Sequence, residues 1–310
     1  MSGSLAPLGE EVQHLRLGSS ADFILGGRCL GRYVLRSVHI QLRDGLRCHV
    51  RLAGRDGPAA VLVHGFGGSS GAWGEELLAH VAVRCRVFVV DLIGHGQSAK
   101  PHVPERYDVR ALVDDLIELL DVLEIGTPTW IGYSMGGRLT LAAAALRPDR
   151  VTSLVLEGAS PGLETEADRV SRRASDETLA RLLEHEGIEA FADHWMALPI
   201  FASRRRLTIA QRNAIRRRLV ANDPKALAAC LRGFGRGAQP SFWSVLESID
   251  VPVHLVVGEA DTSSLKTAEQ MDALLPRAKL TVVPGCGHTV YLDAPQAWLD
   301  VVTAHVTSSA

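Results

Sequence analysis

Short, almost uninterrupted apolar segments recur along the chain and alternate with segments of helical periodicity. Strands that are apolar on both faces are typical of parallel sheets covered by helices. Helical periodicity predicts helices over Asp108–Ile125, after Ser134 and over Leu265–Leu275. The alternation predicts an α/β fold with a mostly parallel, doubly wound sheet. The predicted buried strands are Ala59–Gly65, Cys85–Gly94, Pro128–Tyr133, Val151–Gly158, Val251–Glu259 and Ala278–His288.

Two stretches depart from this alternation. Near the N-terminus, Asp44-Gly45 separates two alternating segments, 33–42 and 46–54, which predicts a hairpin. Residues 160–240 are charged and helical in period, with no convincing strand, as expected of a helical cap inserted over the carboxyl ends of the strands. We therefore expect an extension of unknown role over residues 1–32, a core built from 33–159 and 241–310, and a cap over 160–240.

Composition narrows the class of protein. The chain has 310 residues, of which 46% are hydrophobic and 22% charged, so it can bury a sizeable core. Its formal net charge of -2 gives no reason to expect nucleic acid or an anionic membrane as a partner. The five cysteines show no metal-ligand spacing, so we expect buried thiols in a reducing compartment and no metal or other cofactor. No secretory signal and no apolar run near the roughly 18 residues of a membrane span is visible, and the expected location is cytoplasmic.

The segment Gly132-Tyr133-Ser134-Met135-Gly136 carries the first candidate chemistry. It fits G-x-S-x-G, in which a serine lies on a sharp turn between strand and helix and glycines leave room for that turn. A bare match is weak evidence, since small-residue turns are common. Here the motif follows an apolar strand and opens an apolar helix, so Ser134 is predicted to be catalytic.

A catalytic serine requires a base and a carboxylate that orients the base. In this kind of fold they follow the serine in the order acid, then histidine, each on a loop after a strand. Asp261 and His288 fit that order, and Glu259 competes with Asp261 for the acid position. His64 and His95 are the other histidine candidates.

The glycine-rich segment His64–Gly68 follows a predicted strand and suggests an oxyanion hole. We expect the backbone N–H groups of Phe66 and Met135 to point at the developing negative charge. His64 itself is expected to bond to the loop rather than to titrate.

Arg138, four residues after Ser134, requires an anionic partner if it is buried. One interpretation is an ion pair with Glu157 or Asp91. The other is a carboxylate of the substrate. The sequence alone leaves both open.

Several segments together resemble the 2-succinyl-6-hydroxy-2,4-cyclohexadiene-1-carboxylate synthases of menaquinone synthesis, which belong to the α/β-hydrolase superfamily. The resemblance covers roughly residues 56–305 and includes the cap, which usually varies most among α/β hydrolases. The segments are "GYSMGGR", the stretch from "LEGASPGL" to "LPIFAS", the stretch from "ANDPKAL" to "GAQPSFWSVL", "VVGEAD" and "GCGHTVYLDAP".

The resemblance implies a lyase without a cofactor, in which a serine made basic by a His–Asp pair removes a proton and pyruvate is eliminated. By position it implies a triad of Ser134, Asp261 and His288 acting on a small anionic molecule. It also implies five substrate-binding residues: Tyr133, Arg138, Arg172, Trp195 and one arginine of Arg216–Arg218, where we favour Arg218.

The chain departs from this family at the acid loop. The family usually continues E-x-D-x-K-F, whereas this chain reads "EADTSSLK". A serine hydrolase of esters, thioesters or carbon–carbon bonds is therefore a second hypothesis. A ligand receptor that lacks catalysis is a third, and the complete set of catalytic residue types argues against it.

Overall fold

A computed structural model describes residues 20–25 and 28–308, with side chains from residue 35 onward. The described residues form ten strands: β1 (Ser20–Leu25), β2 (Arg28–Val34), β3 (Arg36–Gln41), β4 (Arg47–Ala53), β5 (Ala59–Val63), β6 (Arg86–Val90), β7 (Thr129–Tyr133), β8 (Ser153–Glu157), β9 (Val253–Gly258) and β10 (Ala278–Val283). The α-helices are α1 (Gly74–Ala82), α2 (Val109–Val122), α3 (Met135–Leu146), α4 (Glu166–His185), α5 (Gly187–Ala197), α6 (Ile209–Val220), α7 (Pro224–Phe234), α8 (Thr262–Leu274), α9 (Val290–Asp293) and α10 (Pro295–Ser308).

Eight strands form one sheet in the order β10-β9-β8-β7-β5-β6-β4-β3. Among the described strands of this sheet, β4 pairs antiparallel with both β3 and β6, and the other five pairings are parallel. The predicted mostly parallel α/β fold is confirmed, as is the hairpin around Gly45, where φ is 85°. The carboxyl ends of β5, β7, β8, β9 and β10 therefore meet at one edge, where α/β folds place their sites.

Both faces of the sheet are covered, which explains the uninterrupted apolar strands. Along β5, Val61 and Val63 pack with α2, α3 and α8, while Ala60 and Leu62 pack with α1 and α10 on the opposite face. This is the two-residue alternation of a strand, with both sets buried. Sequence analysis did not single out α1 or α10.

Strands β1 and β2 pair antiparallel, and the sequence analysis did not predict this pairing. The expected boundary at residue 32 falls inside β2. The rest of the expected extension, residues 1–19 and 26–27, lies outside the described residues, and the division into domains stays a prediction.

Residues 160–240, all of them described, contain four α-helices and a 3₁₀ helix at Pro199–Arg206, and no strand. They have an apolar cluster of their own, which includes Leu183 of α4, Phe191 of α5 and Leu227 of α7. Thr165 and Thr208 begin α4 and α6 by accepting backbone N–H groups at the third helical position. Phe66 packs against this cluster, so the cap lies on the glycine-rich loop of the core.

Four cysteines, Cys48, Cys85, Cys230 and Cys286, are free and buried, while the side chain of Cys29 lies outside the described part. Within the described ranges, no helix combines the length and apolar character needed to cross a membrane.

Candidate active site

Ser134 lies at a sharp turn between β7 and α3. Its φ of 52° is one of two positive values among the described residues other than glycine, and such strain is typical of functional turns. The flanking glycines are required by space. A Cβ at Gly132 would lie 2.5 Å from the Cα of Gly137, and one at Gly136 would lie 2.6 Å from the carbonyl oxygen of His64. The G-x-S-x-G pattern therefore has a steric cause.

Ser134, His288 and Asp261 form a continuous hydrogen-bonded line. Nδ1 of His288 donates to Oδ2 of Asp261 at 2.6 Å, and Oγ of Ser134 lies 3.0 Å from Nε2 of His288. Asp261 begins α8 and follows β9, while His288 follows β10. The structure thus brings together the three residues that sequence analysis placed on separate loops, and their catalytic role remains a prediction.

The acid of this line is ionised and fixed. Burial opposes ionisation of Asp261, but the hydrogen bonds from His288 and from the Ser264 N–H together hold the pKa of this carboxyl below its usual range. The competing Glu259 is exposed and accepts the backbone N–H of Gly285 at 2.9 Å. The geometry therefore favours Asp261 over Glu259.

The expected oxyanion donors lie on two segments that meet at Ser134. Met135 is the first residue of α3, where helix geometry leaves its N–H without an intrahelical acceptor. The loop of Phe66 passes close by, since a Cβ at Gly65 would lie 3.4 Å from Cβ of Ser134. The two segments thus meet beside the serine, and the role of the two N–H groups stays a prediction.

His64 and His95 serve the loops rather than the serine. Nε2 of His64 accepts the N–H of Leu92 at 3.1 Å, so its Nδ1–H donates to the carbonyl of Gly65 at 2.8 Å. Burial lowers the pKa of His64, and burial with the neighbouring His64 lowers that of His95 to about 3. Both are neutral at pH 7, as expected for His64 from its position.

Arg138 is 7% exposed and has no carboxylate partner among the described residues. Its guanidinium donates to Oε1 of Gln239 and to the carbonyl of Phe234 at 3.1 Å, and lies 4.7 Å from the centre of the Phe234 ring. Burial and the positive charge of Arg236 lower its pKa to about 9. The interpretation of an ion pair with Glu157 or Asp91 is wrong. The first of these accepts the N–H of Tyr291, and the second is occupied by His49 and Gln97.

The predicted cap arginines differ in how they are bound. Arg172 donates through Nε to Oδ1 of Asp176 at 2.7 Å. Arg216 pairs with Glu189 and Asp193, and Arg217 is exposed. Arg218 has no ion pair among the described residues, and burial and nearby Arg204 lower its pKa. This geometry favours Arg218 within the run, and its part in binding stays a prediction.

The two predicted aromatic residues have defined surroundings. Tyr133 is 6% exposed, and its hydroxyl lies 2.9 Å from Oγ1 of Thr289. Its ring centre is 5.4 Å from that of His288, so the side chain packs beside the triad. Trp195 stacks on Phe191 with ring centres 5.5 Å apart and lies 5.2 Å from Phe66. Trp195 therefore joins the cap to the loop of the expected oxyanion hole.

Sequence analysis did not single out two arginines at this site. Arg204 donates to Oγ1 of Thr289 at 3.0 Å, stacks 3.8 Å from the Phe201 ring, and keeps a buried Nε–H without an acceptor among the described atoms. Arg236 lies between two glycines after α7. Two sequence features could have indicated them: Arg204 belongs to the charged run Arg204–Arg206, and Arg236 is flanked by glycines. A charged run is more often part of a solvated surface than of a binding site.

Within residues 20–25 and 28–308, no group of three or more His, Cys, Asp or Glu side chains could hold a metal ion.

Comparison with known proteins agrees with this architecture. The family model of the alpha/beta hydrolase fold matches residues 58–295. Together with the sheet order and the turn at Ser134, the match defines the class of protein as an α/β hydrolase.

More specific relatives share most of the chain. A Bacillus subtilis (strain 168) protein, provisionally named a 2-succinyl-6-hydroxy-2,4-cyclohexadiene-1-carboxylate synthase, is 38% identical over 88% of this chain and 99% of its own. The synthase of that name from Salmonella newport (strain SL254) is 31% identical over 78% of this chain and 91% of its own. The solved structure of MenH from S. aureus superimposes with a TM-score of 0.79 at 28% identity, covering 84% of this chain and 98% of the other. The chain belongs to this synthase family within the α/β hydrolases.

Proposed function

We propose that the protein eliminates pyruvate from a succinyl-enolpyruvyl-hydroxycyclohexene-carboxylate and so forms 2-succinyl-6-hydroxy-2,4-cyclohexadiene-1-carboxylate in menaquinone synthesis. The observation that carries the proposal is the line from Asp261 through His288 to Ser134 in a chain 38% identical to the Bacillus subtilis relative. The surplus of arginines around this line supports a substrate with several carboxylates.

In the proposed mechanism Ser134 is a base. Its hydroxyl proton passes to Nε2 of His288, and Asp261 stabilises the imidazolium that results. The serine oxygen removes the ring proton next to the succinyl carbonyl, and negative charge develops on that carbonyl oxygen within reach of the N–H groups of Phe66 and Met135. The electron pair completes the ring diene as the bond from ring carbon to the enolpyruvyl oxygen breaks. The leaving enolpyruvate anion takes up on its methylene carbon the proton that His288 received, which gives pyruvate and returns His288 to its neutral state; Ser134 has already regained a proton from the ring.

A serine hydrolase is the second candidate, because the 3.0 Å contact between Ser134 and His288 would equally prepare the serine for nucleophilic attack. The two mechanisms differ in one bond. Hydrolysis requires a covalent acyl-serine, whereas the elimination requires none.

The test is pyruvate release from the cyclohexene substrate, generated in situ by the preceding enzyme and followed with lactate dehydrogenase and NADH. We expect rapid release by the wild-type protein, background release by Ser134→Ala, and slow turnover of aryl esters. Background release by the wild-type protein, together with fast ester turnover and an acyl adduct on Ser134 detected by mass spectrometry, would replace the lyase by the hydrolase.

A further inference from the structure

The segment Gly235-Arg236-Gly237 is pressed directly onto helix α4. A Cβ at Gly235 would lie 2.6 Å from Oδ2 of Asp176, and one at Gly237 would lie 2.8 Å from Cα of Arg173. The N–H of Gly237 donates to Oδ2 of Asp176 at 3.0 Å, and the side chain of Arg173 donates to the carbonyl of Gly237 at 3.1 Å. Both glycines are therefore required for this approach, and the backbone that carries Arg236 is fixed.

The charges around Arg236 do not balance. Arg138, Arg172 and Arg236 lie close enough to influence one another electrostatically, and Asp176 is the carboxylate beside them. Asp176 is already occupied, since Oδ1 accepts from Arg172 and Oδ2 from Gly237. Asp261 also acts on Arg236, but its oxygens accept from His288 and Ser264. Two positive charges thus remain without a carboxylate of their own.

Unused hydrogen-bond donors lie in the same place. Arg236 is half-buried and makes no hydrogen bond or ion pair with any described residue. Nε2 of Gln239 is buried without an acceptor among the described atoms, while Oε1 of the same amide accepts from Arg138. Since unpaired buried donors and charges are costly, this arrangement is typical of a site completed by an anionic ligand.

An arginine on the adjoining helix α7 differs from Arg236 in having carboxylate partners. Arg232, four residues before Arg236, donates to Glu177 at 2.8 Å and to Glu184 at 2.5 Å, and both carboxylates belong to α4. The chain therefore supplies acidic partners where an arginine joins α7 to α4. It supplies none to the side chain of Arg236.

We propose that Arg236, together with Arg138 and the amide of Gln239, forms a subsite that binds one carboxylate of the substrate and selects for substrates that carry it. The proposal rests on the proposed function for the identity of the substrate. The subsite itself is a property of Arg236 and can be measured without turnover.

The binding experiment uses 2-succinylbenzoate, an aromatic diacid shaped like the proposed product, and its two monomethyl esters. Each is titrated by calorimetry into Ser134→Ala protein carrying Arg236, Arg236→Lys or Arg236→Met, with Arg181→Met as the matched control. Arg181 is an exposed cap arginine whose side chain pairs with Glu177.

We expect the diacid to bind the Arg236 protein at least about tenfold more tightly than one of the two esters, as a charged bidentate contact provides. Arg236→Met should bind the diacid and that ester equally, Arg236→Lys should keep part of the preference, and Arg181→Met should keep all of it. Equal diacid affinity in the Arg236 and Arg236→Met proteins, with both folded by circular dichroism, would overturn the subsite.

Pyruvate release separates this proposal from the proposed function. If the wild-type protein releases no pyruvate but Arg236→Met still loses the diacid preference, the subsite stands and the proposed reaction fails. If pyruvate release is rapid and Arg236→Met keeps the KM of the wild-type protein, the reaction stands and the subsite fails.

Discussion

The molecule contains two Ser–His–Asp lines that are almost alike in hydrogen bonding. In the first, Asp261, His288 and Ser134 are joined by contacts of 2.6 and 3.0 Å. In the second, Nδ1 of His49 lies 2.8 Å from Asp91, and its Nε2 lies 2.5 Å from Oγ of Ser37. A search for the three residue types alone would find both.

Their surroundings differ in every respect that matters for catalysis. Ser134 lies at a positive φ before a helix, with arginines nearby that have no carboxylate partners, whereas Ser37 lies within strand β3 at the sheet edge. Asp91 also accepts the N–H groups of Ser70 and Gln97, so it ties the loops after β5 and β6 together. We infer that the first line is catalytic and that the second is structural.

Replacing the two serines should separate the lines most sharply. Ser134→Ala should lower kcat for pyruvate release by about 10³-fold or more, since triad members act as one unit. Ser37→Ala should leave kcat and KM unchanged, because its hydroxyl only donates to a buried histidine. Loss of pyruvate release in both variants, or in Ser37→Ala alone, would contradict the assignment.

Replacing Asp261 should mainly lower activity, whereas replacing Asp91 should mainly lower stability. Asp261→Asn should lower kcat by about 10³-fold, because the amide no longer stabilises an imidazolium, with a small change in the melting midpoint. Asp91→Asn should lower the free energy of unfolding by about 1–3 kcal/mol, since a buried amide nitrogen would face N–H donors.

The same pair gives a test by pH. Burial opposes ionisation of Asp91, but its hydrogen bonds with His49 and with the Gln97 N–H hold its pKa well below the usual range. The stability it contributes is therefore present above the unfolded pKa of about 3.9 and is lost as the pH falls below it. Urea unfolding of wild-type and Asp91→Asn proteins should converge at low pH, and a constant difference would contradict this account.

Arg138 should have the next largest effect on catalysis. Arg138→Met should raise KM or lower kcat by about 10²-fold, because a charged contact with the substrate is lost. Arg138→Lys should recover part of the loss by keeping the charge. Near-normal kinetics in folded Arg138→Met protein would instead assign the arginine to the packing of Phe234 and Gln239.

Much of this arrangement could be predicted from local patterns. The uninterrupted apolar runs predicted the sheet, and the glycines around Ser134 predicted the turn. Both features depend on residues that are adjacent in sequence. The hairpin β1–β2 was missed because its segments show no sustained alternation of apolar and polar residues. The partners of Arg138 were missed because Phe234 and Gln239 are about 100 positions away. The second line was missed because Ser37, His49 and Asp91 come together only through the pairing of β3, β4 and β6.

The inward positions of Arg204 and Arg236 could not be predicted for a further reason. Whether an arginine in a charged cap is solvated or turned inward depends on how cap helices pack on the core. No periodicity within the cap encodes that packing.

The smallest effect is expected from Glu157, a carboxyl group directly behind Ser134 that belongs to neither line. Its backbone carbonyl accepts the N–H of Ser134 at 2.8 Å, and its side chain accepts the N–H of Tyr291 at 3.2 Å. Burial raises the pKa of this carboxyl to about 8, so it is largely protonated at neutral pH.

The sign of the resulting pH dependence is opposite to that of Asp91. A raised folded pKa contributes stability below the unfolded value of about 4.3, and this is lost as the pH rises toward the folded value. Glu157→Gln keeps the hydrogen bond without the charge, so its stability relative to wild type should increase between pH 5 and pH 8.5, by an amount on the order of 1 kcal/mol or more. Urea unfolding at the two pH values measures this, with exposed Glu247→Gln as the control whose difference from wild type should stay constant. A constant difference for Glu157→Gln as well would mean that its carboxylate is accommodated in the fold, and that the environment behind Ser134 is more polar than its burial indicates.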